Sequence, residues 1–263
     1  MKNYLVIGNP IDHSLSPKLH NYWFKKNNIN AVYDRKLLKE NEIKNIIYKI
    51  KKDEVNGINV TLPFKKSVIS FVDKLTPEAE ETQSVNTVYK EKNIIIGHNT
   101  DIAGFELALR HAKFDAEGKK VFILGSGGVV PSIILGLKRA KVSKILLSNR
   151  TKSKAKELKK NFQEIEITNW GEVPNFDMII NATSVGLNNN DEIKIDYSSL
   201  GSNKLFFDLI YNPRETIFLK KAKLSGNRAE NGKMMFIYQA HQSFTIWHKT
   251  MPTIDEEIIK LLD

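Results

Sequence analysis

No cysteine occurs among the 263 residues. That excludes disulfides, zinc–thiolate sites and thiol nucleophiles. No apolar run approaches the ~20 residues that a membrane-crossing helix needs. The opening MKNYLVIGNP turns polar at once, unlike a secretory leader. Six histidines are present, but none shows metal-ligand spacing, so no metal is expected. There is neither an HExxH pair nor a GxSxG nucleophile elbow. Internal repeats and low-complexity linkers are missing too. What is there, 41% hydrophobic and 27% charged residues, points to a soluble cytoplasmic enzyme of one large or two modest domains.

The net charge is +10. Most of that excess is spread along the chain and reads as a solvated surface. The densest stretch runs from Lys138 to Lys160. It holds Lys138, Arg139, Lys141, Lys144, Arg150, Lys152, Lys154, Lys156, Lys159 and Lys160, opposed only by Glu157.

Apolar runs alternate with helical patterns, the signature of an α/β protein with parallel sheets. Strands are expected at Tyr4–Gly8, Ala31–Leu38 and Gly57–Thr61. A helix should begin near Ser14, with Ser16–Pro17 as its cap and first turn. Further helices are expected over Glu40–Lys52 and after Pro63. Val85–Tyr89 and Ile94–Gly97 read as a hairpin, followed by a helix over Ile102–Lys113. At Lys120 the pattern restarts: strand Val121–Leu124, a glycine turn, helix Ile133–Lys141, strand Lys144–Ser148, helix Lys152–Asn161, and strands Phe176–Ala182 and Leu205–Ile210. Met234–Trp247 and Ile254–Leu262 are helical and should pack back on the first domain. The expected division is residues 1–101 with helices 236–263 as one domain and 102–235 as the other.

The glycine turn Gly125–Ser126–Gly127–Gly128 lies between an apolar strand and a helix. Dinucleotide-binding folds need a tight turn there, so that backbone N–H groups and the helix N-terminus can approach a pyrophosphate. A plain β-α connection uses the same residues, and the third position of GxGxxG is Val130 here. The next strand adds information. Where NAD-binding chains carry an acid for the ribose hydroxyl, this one has Asn149–Arg150–Thr151. The guanidinium of Arg150 matches a 2′-phosphate, which favours NADP over NAD.

Polar residues in the first half fall at strand ends, where sites in α/β sheets form. Ser14 and Ser16 can bind a carboxylate or simply cap a helix. Lys65, beyond Asn59 and Thr61 in NVTLPFK, suits a general acid. Asn86 stands at a strand start. Asn99, Thr100 and Asp101 close the hairpin, where Thr100 or Asp101 also fits a capping role.

Together these residues resemble the shikimate dehydrogenase family. The resemblance rests on Gly8–Ile11 with His13–Pro17, Asn59–Lys65, Val85–Thr87, Asn99–Asp101 with Gly104, Gly125–Gly128, Asn149–Thr151, Asn181–Ser184, Asp208 with Tyr211, Pro213 and Thr216, and Gly232 with Gln239–Ala240. The motifs run in order across nearly the whole chain. The resemblance implies two α/β domains: an N-terminal substrate-binding domain with a mainly parallel sheet, and a Rossmann-type NADP-binding domain. It implies reversible reduction of 3-dehydroshikimate to shikimate with NADPH, a step toward chorismate and the aromatic amino acids. Ser14, Ser16 and Tyr211 would bind the substrate carboxylate. Thr61, Asn86, Asp101 and Gln239 would hold the ring hydroxyls, and Lys65 paired with Asp101 would transfer the proton. Gly125, Ser126, Gly127, Gly128 and Val129 would touch the pyrophosphate. Asn149, Arg150, Thr151 and Lys154 would meet the adenosine phosphate end, and Thr183, Leu209 and Gly232 the ribose and nicotinamide. Three positions depart from the family pattern: Val129–Val130 for small alanines, Lys154 for an arginine, and Met234 for a second glycine.

Two other readings stand beside this one. A quinate/shikimate dehydrogenase would tolerate quinate and use NAD, against which Arg150 weighs. A nucleic-acid-binding protein would use the basic stretch and leave the glycine turn structural, but no aromatic-interleaved basic patch accompanies it. The expected partners are therefore a small-molecule substrate and no nucleic acid or membrane, with the chain a monomer or homodimer.

Overall fold

The computed structural model describes residues 1–188 and 190–262. Its backbone divides into two compact units, one formed by Met1–Gly104 with Ile237–Asp263 and the other by Phe105–Phe236. Among the described residues no helix is long and apolar enough to cross a membrane.

The first unit opens with β1 (Lys2–Gly8), α1 (Ser16–Lys26), β2 (Ala31–Leu37), α2 (Ile43–Lys51), β3 (Gly57–Val60), β4 (Lys74–Leu75), α3 (Pro77–Thr82), β5 (Thr87–Glu91) and β6 (Ile94–His98). Helix α4 (Asp101–His111) follows. Helix α2 shows why such segments fold: Ile43, Ile46, Ile47 and Ile50 recur at helical spacing and all are buried. The strands form one sheet in the order β2-β1-β3-β5-β6-β4. Strand β5 runs antiparallel to both neighbours, whereas β1 pairs in parallel with β2 and β3, and β4 with β6.

That one reversed strand decides where the polar residues gather. The C-terminal ends of β1 and β3, the N-terminal end of β5 and the C-terminal end of β6 all reach the same edge of the sheet. The register shows it, with Val60 opposite Ile7, Asn59 opposite Thr87 and Thr87 opposite His98.

The second unit contains β7 (Lys120–Leu124), α5 (Val130–Arg139), β8 (Lys144–Ser148), α6 (Lys152–Asn161), β9 (Glu166–Thr168), β10 (Met178–Asn181), β11 (Leu205–Asp208), α7 (Ile217–Leu224) and β12 (Arg228–Glu230). Its sheet is wholly parallel in the order β12-β11-β10-β7-β8-β9. This is the doubly wound arrangement in which the order reverses beside the first strand, here β7. Every residue of β10 and β11 is buried, as a sheet covered on both faces requires. Helix α8 (Lys233–His248) leads back to the first unit, and α9 (Glu256–Leu261) closes the chain. The terminal segment is tied to α1 there, the Trp23 indole donating to the Thr253 carbonyl at 3.1 Å.

Several expectations need correction. No α-helix follows Pro63; a turn leads to a 3-10 helix at Ser67–Phe71. The reason is local, since the Lys65 carbonyl accepts from the Val85 N–H at 2.8 Å and is no longer available to a helical ladder. Ser16 does not cap α1. Leu15 is the cap residue, and the Ser14 hydroxyl accepts the Ser16 N–H at 3.3 Å instead. Strands β4, β9 and β12 and helices α3 and α7 add to the expected elements.

Candidate active site

At the common edge of the first sheet, Lys65 and Asp101 meet. The ammonium donates to Asp101 Oδ2 at 2.5 Å, with the side chains 14% and 7% exposed. The amide of Asn86 donates to Asp101 Oδ1 at 2.8 Å and to Thr100 Oγ1 at 2.9 Å, while its oxygen accepts the Thr100 N–H at 2.8 Å. Asn99 fixes the start of α4, because its side-chain oxygen accepts the Asp101 N–H at 3.0 Å. A carboxylate in the first turn of that helix is also favoured by the helix dipole. Thr61, half-buried at the end of β3, is held through its N–H to the Ile7 carbonyl at 2.9 Å. Ser14 and Ser16, both buried, lie 3.2 Å apart oxygen to oxygen.

A buried polar lattice underlies this edge, and of its members the sequence motifs include Asn59, Asn86, Thr87 and Gln239 but neither Tyr33 nor Ser243. Tyr33 donates its hydroxyl to Asn59 Oδ1 at 2.7 Å. The Asn59 amide donates to the Asn86 carbonyl at 3.2 Å, to Thr87 Oγ1 at 3.1 Å and to Ser243 Oγ at 2.9 Å. Ser243, one turn beyond Gln239 on α8, donates to the Gln239 carbonyl at 3.1 Å. Gln239 is thus tied by its backbone to the network that holds Asn86. In sequence, Ser243 is only a small residue on the buried stripe of a helix, so nothing singles it out.

In the second unit, the expected cofactor residues stand at the C-terminal ends of adjoining parallel strands. Gly125–Val129 connect β7 to α5, and Asn149–Lys154 follow β8. Thr183 follows β10, Leu209 follows β11 and Gly232 follows β12. Gly125 has φ +111°, and a Cβ there would sit 2.6 Å from the Ala182 carbonyl oxygen, so only glycine fits this turn. The Ser126 hydroxyl is buried without a hydrogen-bond partner, and Gly127 and Gly128 are exposed. An orphan donor beside an exposed glycine turn at a helix N-terminus fits a pyrophosphate. Val130, where a third glycine often stands, is fully buried.

Arg150 and Lys154 are exposed, and their side chains have no hydrogen-bond or ion-pair partner among the described residues. Asn149 donates to the Thr151 carbonyl at 2.8 Å. The lysines that precede the end of β8 differ from them. Lys138, Lys141 and Lys144 are paired with Glu164, Glu117 and Glu166 at 3.0, 3.6 and 2.7 Å. Ion pairs thus neutralise the part of the basic stretch before and at the start of β8, and leave the end of β8 and helix α6 cationic.

Tyr211 belongs to this unit and stacks on Phe236 with ring centres 4.6 Å apart. Asp208, fully buried, accepts from Asn181, Ile210 and Thr216, and burial pushes its carboxyl up to about 6. No group of histidines and acids able to hold a metal occurs among the described residues.

Comparison with known proteins gives concordant results. A family model described as the shikimate dehydrogenase substrate binding domain matches residues 6–88, and one described as shikimate / quinate 5-dehydrogenase matches residues 106–227. The chain is 58% identical over 262 residues to shikimate dehydrogenase (NADP(+)) of Pelagibacter ubique, covering 100% of this chain and 99% of that protein. The crystal structure of shikimate dehydrogenase from Aquifex aeolicus superimposes with a TM-score of 0.92 at 34% identity, covering 100% of this chain and 97% of that one. A Thermus thermophilus shikimate 5-dehydrogenase, solved in complex with NADP(H) and shikimate, gives 0.90 at 25% identity, covering 100% and 98%.

Proposed function

Because this chain belongs to the shikimate dehydrogenase family, we propose that it interconverts 3-dehydroshikimate and shikimate with NADPH and NADP, in the cytoplasm and as a monomer or homodimer. The observation that carries the reading is the sequestered Lys65–Asp101 pair at the polar edge of the first sheet.

Bound NADPH supplies the hydride that reduces the ring ketone. The chain's own work is binding and proton control. Lys65 holds a proton at Nζ and gives it to the ketone oxygen as alkoxide charge develops there. Asp101 aims the ammonium through Oδ2, and Asn86 in turn fixes the carboxylate through Oδ1. Ser14 and Ser16 take the substrate carboxylate, far from the reacting carbon, while Thr61, Asn86 and Gln239 receive ring hydroxyls. Ser126 and the glycine turn hold the pyrophosphate. Arg150, with Lys154 beside it, holds the 2′-phosphate; both side chains are cations with no partner to give up among the described residues.

The direct test is loss of NADPH absorbance on adding 3-dehydroshikimate, run in parallel with quinate and NAD in the reverse direction. A flat trace with 3-dehydroshikimate, alongside tight DNA binding, would return the chain to the nucleic-acid reading. Two variants test the assignments. Arg150→Ala should raise the KM for NADP about 10-fold or more, the usual worth of a charge-assisted hydrogen bond, and change the KM for NAD little. Equal changes would remove the 2′-phosphate role. Ser14→Ala should raise the KM for shikimate by a similar factor with a smaller effect on kcat. A fall in kcat alone would place Ser14 elsewhere.

A further inference from the structure

The strand order of the second unit divides a dinucleotide between two sides of β7. Arg150 lies at the end of β8 on one side. The other half must then run over the ends of β10, β11 and β12, where Thr183, Leu209 and Gly232 stand. All three trace back to one buried carboxylate. Asp208 Oδ1 accepts from the Asn181 amide and from the Ile210 N–H, each at 3.0 Å, and Oδ2 accepts from the Thr216 hydroxyl at 2.6 Å.

Each donor passes the constraint on. Asn181 turns its oxygen to the Thr183 N–H at 3.0 Å and to the Thr183 hydroxyl at 2.7 Å, and the same hydroxyl accepts the Val185 N–H at 3.0 Å. The Asn181 carbonyl accepts the Leu209 N–H at 3.0 Å, and the Ile210 carbonyl accepts the Gly232 N–H at 3.1 Å. Gly232 packs so closely that a Cβ would sit 2.1 Å from the Leu209 carbonyl oxygen. Thr216 caps α7 through the Leu219 N–H at 3.3 Å. The carboxylate therefore sets the amide rotamer of Asn181 and the turns after β10, β11 and β12 together. It contacts neither the glycine turn nor the end of β8 through any of these bonds.

The geometry points to Asp208 as a positioning residue that aligns Thr183, Leu209 and Gly232 to receive the nicotinamide half of the cofactor, without a part in gripping its adenosine end. This rests on the proposed cofactor reading and deepens it. A buried carboxylate with three donors is costly to bury and is compensated only by those bonds, so its removal frees the turns it ties together.

Binding of two ligands separates this role from general support of the fold. In Asp208→Ala, the Kd for NADP+, measured by tryptophan fluorescence or calorimetry, should rise about 10-fold or more. The Kd for 2′,5′-ADP, which lacks the nicotinamide half, should stay within about twofold. Asp208→Asn keeps the shape and an oxygen facing Asn181 and Ile210, and its amide can donate to the Thr216 hydroxyl; NADP+ affinity should recover to within about threefold of the parent. Should the alanine variant not fold, Thr216→Val carries the same test, with about a threefold loss for NADP+ and none for 2′,5′-ADP. Equal losses for both ligands, or no loss for NADP+, would overturn the assignment. Wild-type protein that binds both ligands yet leaves NADPH unoxidised with 3-dehydroshikimate would instead sink the activity and leave this comparison intact.

Discussion

Lys65→Ala should lower kcat for 3-dehydroshikimate reduction by about 10²–10⁴-fold, the usual worth of a positioned acid–base group, while the KM for substrate changes far less. The ammonium is committed to Asp101 inside the protein, so its contribution appears as charge grows on the substrate oxygen, not as ground-state grip. The alanine variant also strands a sequestered carboxylate, and breaking such a pair costs up to ~3–5 kcal/mol. Melting curves must therefore accompany the kinetics. Lys65→Arg separates the two effects. It restores a cation beside Asp101 and the thermal stability, but a guanidinium does not readily give up a proton, so kcat should remain low. Steady-state rates on folded protein decide it: near-normal turnover in either variant removes Lys65 from the proton path.

Acid should destabilise the first unit through His20. This ring is fully buried, both of its nitrogens lack hydrogen-bond partners, and it stacks on Tyr33 at 4.3 Å with the planes 3° apart. Burial, reinforced by nearby His248, pushes its pKa down to about 3 from the usual 6.5. In the folded protein His20 stays neutral, and in the unfolded chain it charges near 6.5. Unfolding therefore takes up a proton between those values, and stability falls as pH drops through that window. The full contribution is present above about 6.5. By pH ~5 the loss from His20 alone is about 2 kcal/mol. His248, itself lowered to about 4, adds to the same slope. His20→Phe keeps an aromatic ring on Tyr33 and removes the titration, so urea unfolding at the two pH values should show a smaller loss in the variant. Parallel losses in both proteins would exclude His20 as the source.

Local rules carried the reading where an element's pattern is long or its ends are marked. Strand β8 and helix α6 begin and end where the sequence puts them, because an apolar run is bounded by Ser143 and Asn149 and the helix follows Thr151. Tertiary bonds decided the failures. The turn after Pro63 stays non-helical because the Lys65 carbonyl is taken by Val85. Strands β9 and β12, three residues each, are too short for a period of two to register. The site divides the same way. Residue types and order single out Lys65, Asp101 and the glycine turn as candidates. Tyr33 and Ser243, which join the first site, are ordinary buried polar residues in sequence, with partners far along the chain; Thr87, Asn181, Asp208 and Thr216 lie within the quoted motifs, but the bonds they make there are set by the folded backbone.

The reversed course of β5 has a consequence for how this chain can vary over evolutionary time. The β5–β6 hairpin turns at Lys92 and Asn93, both exposed, on the sheet margin opposite Asn86 and Asp101. Insertions and deletions at that tip are cheap, since they leave the pairing of Thr87 with His98 unchanged. The other end of the same hairpin admits none, because a single added residue there would rotate a neighbour into the place of the asparagine that steadies the acid.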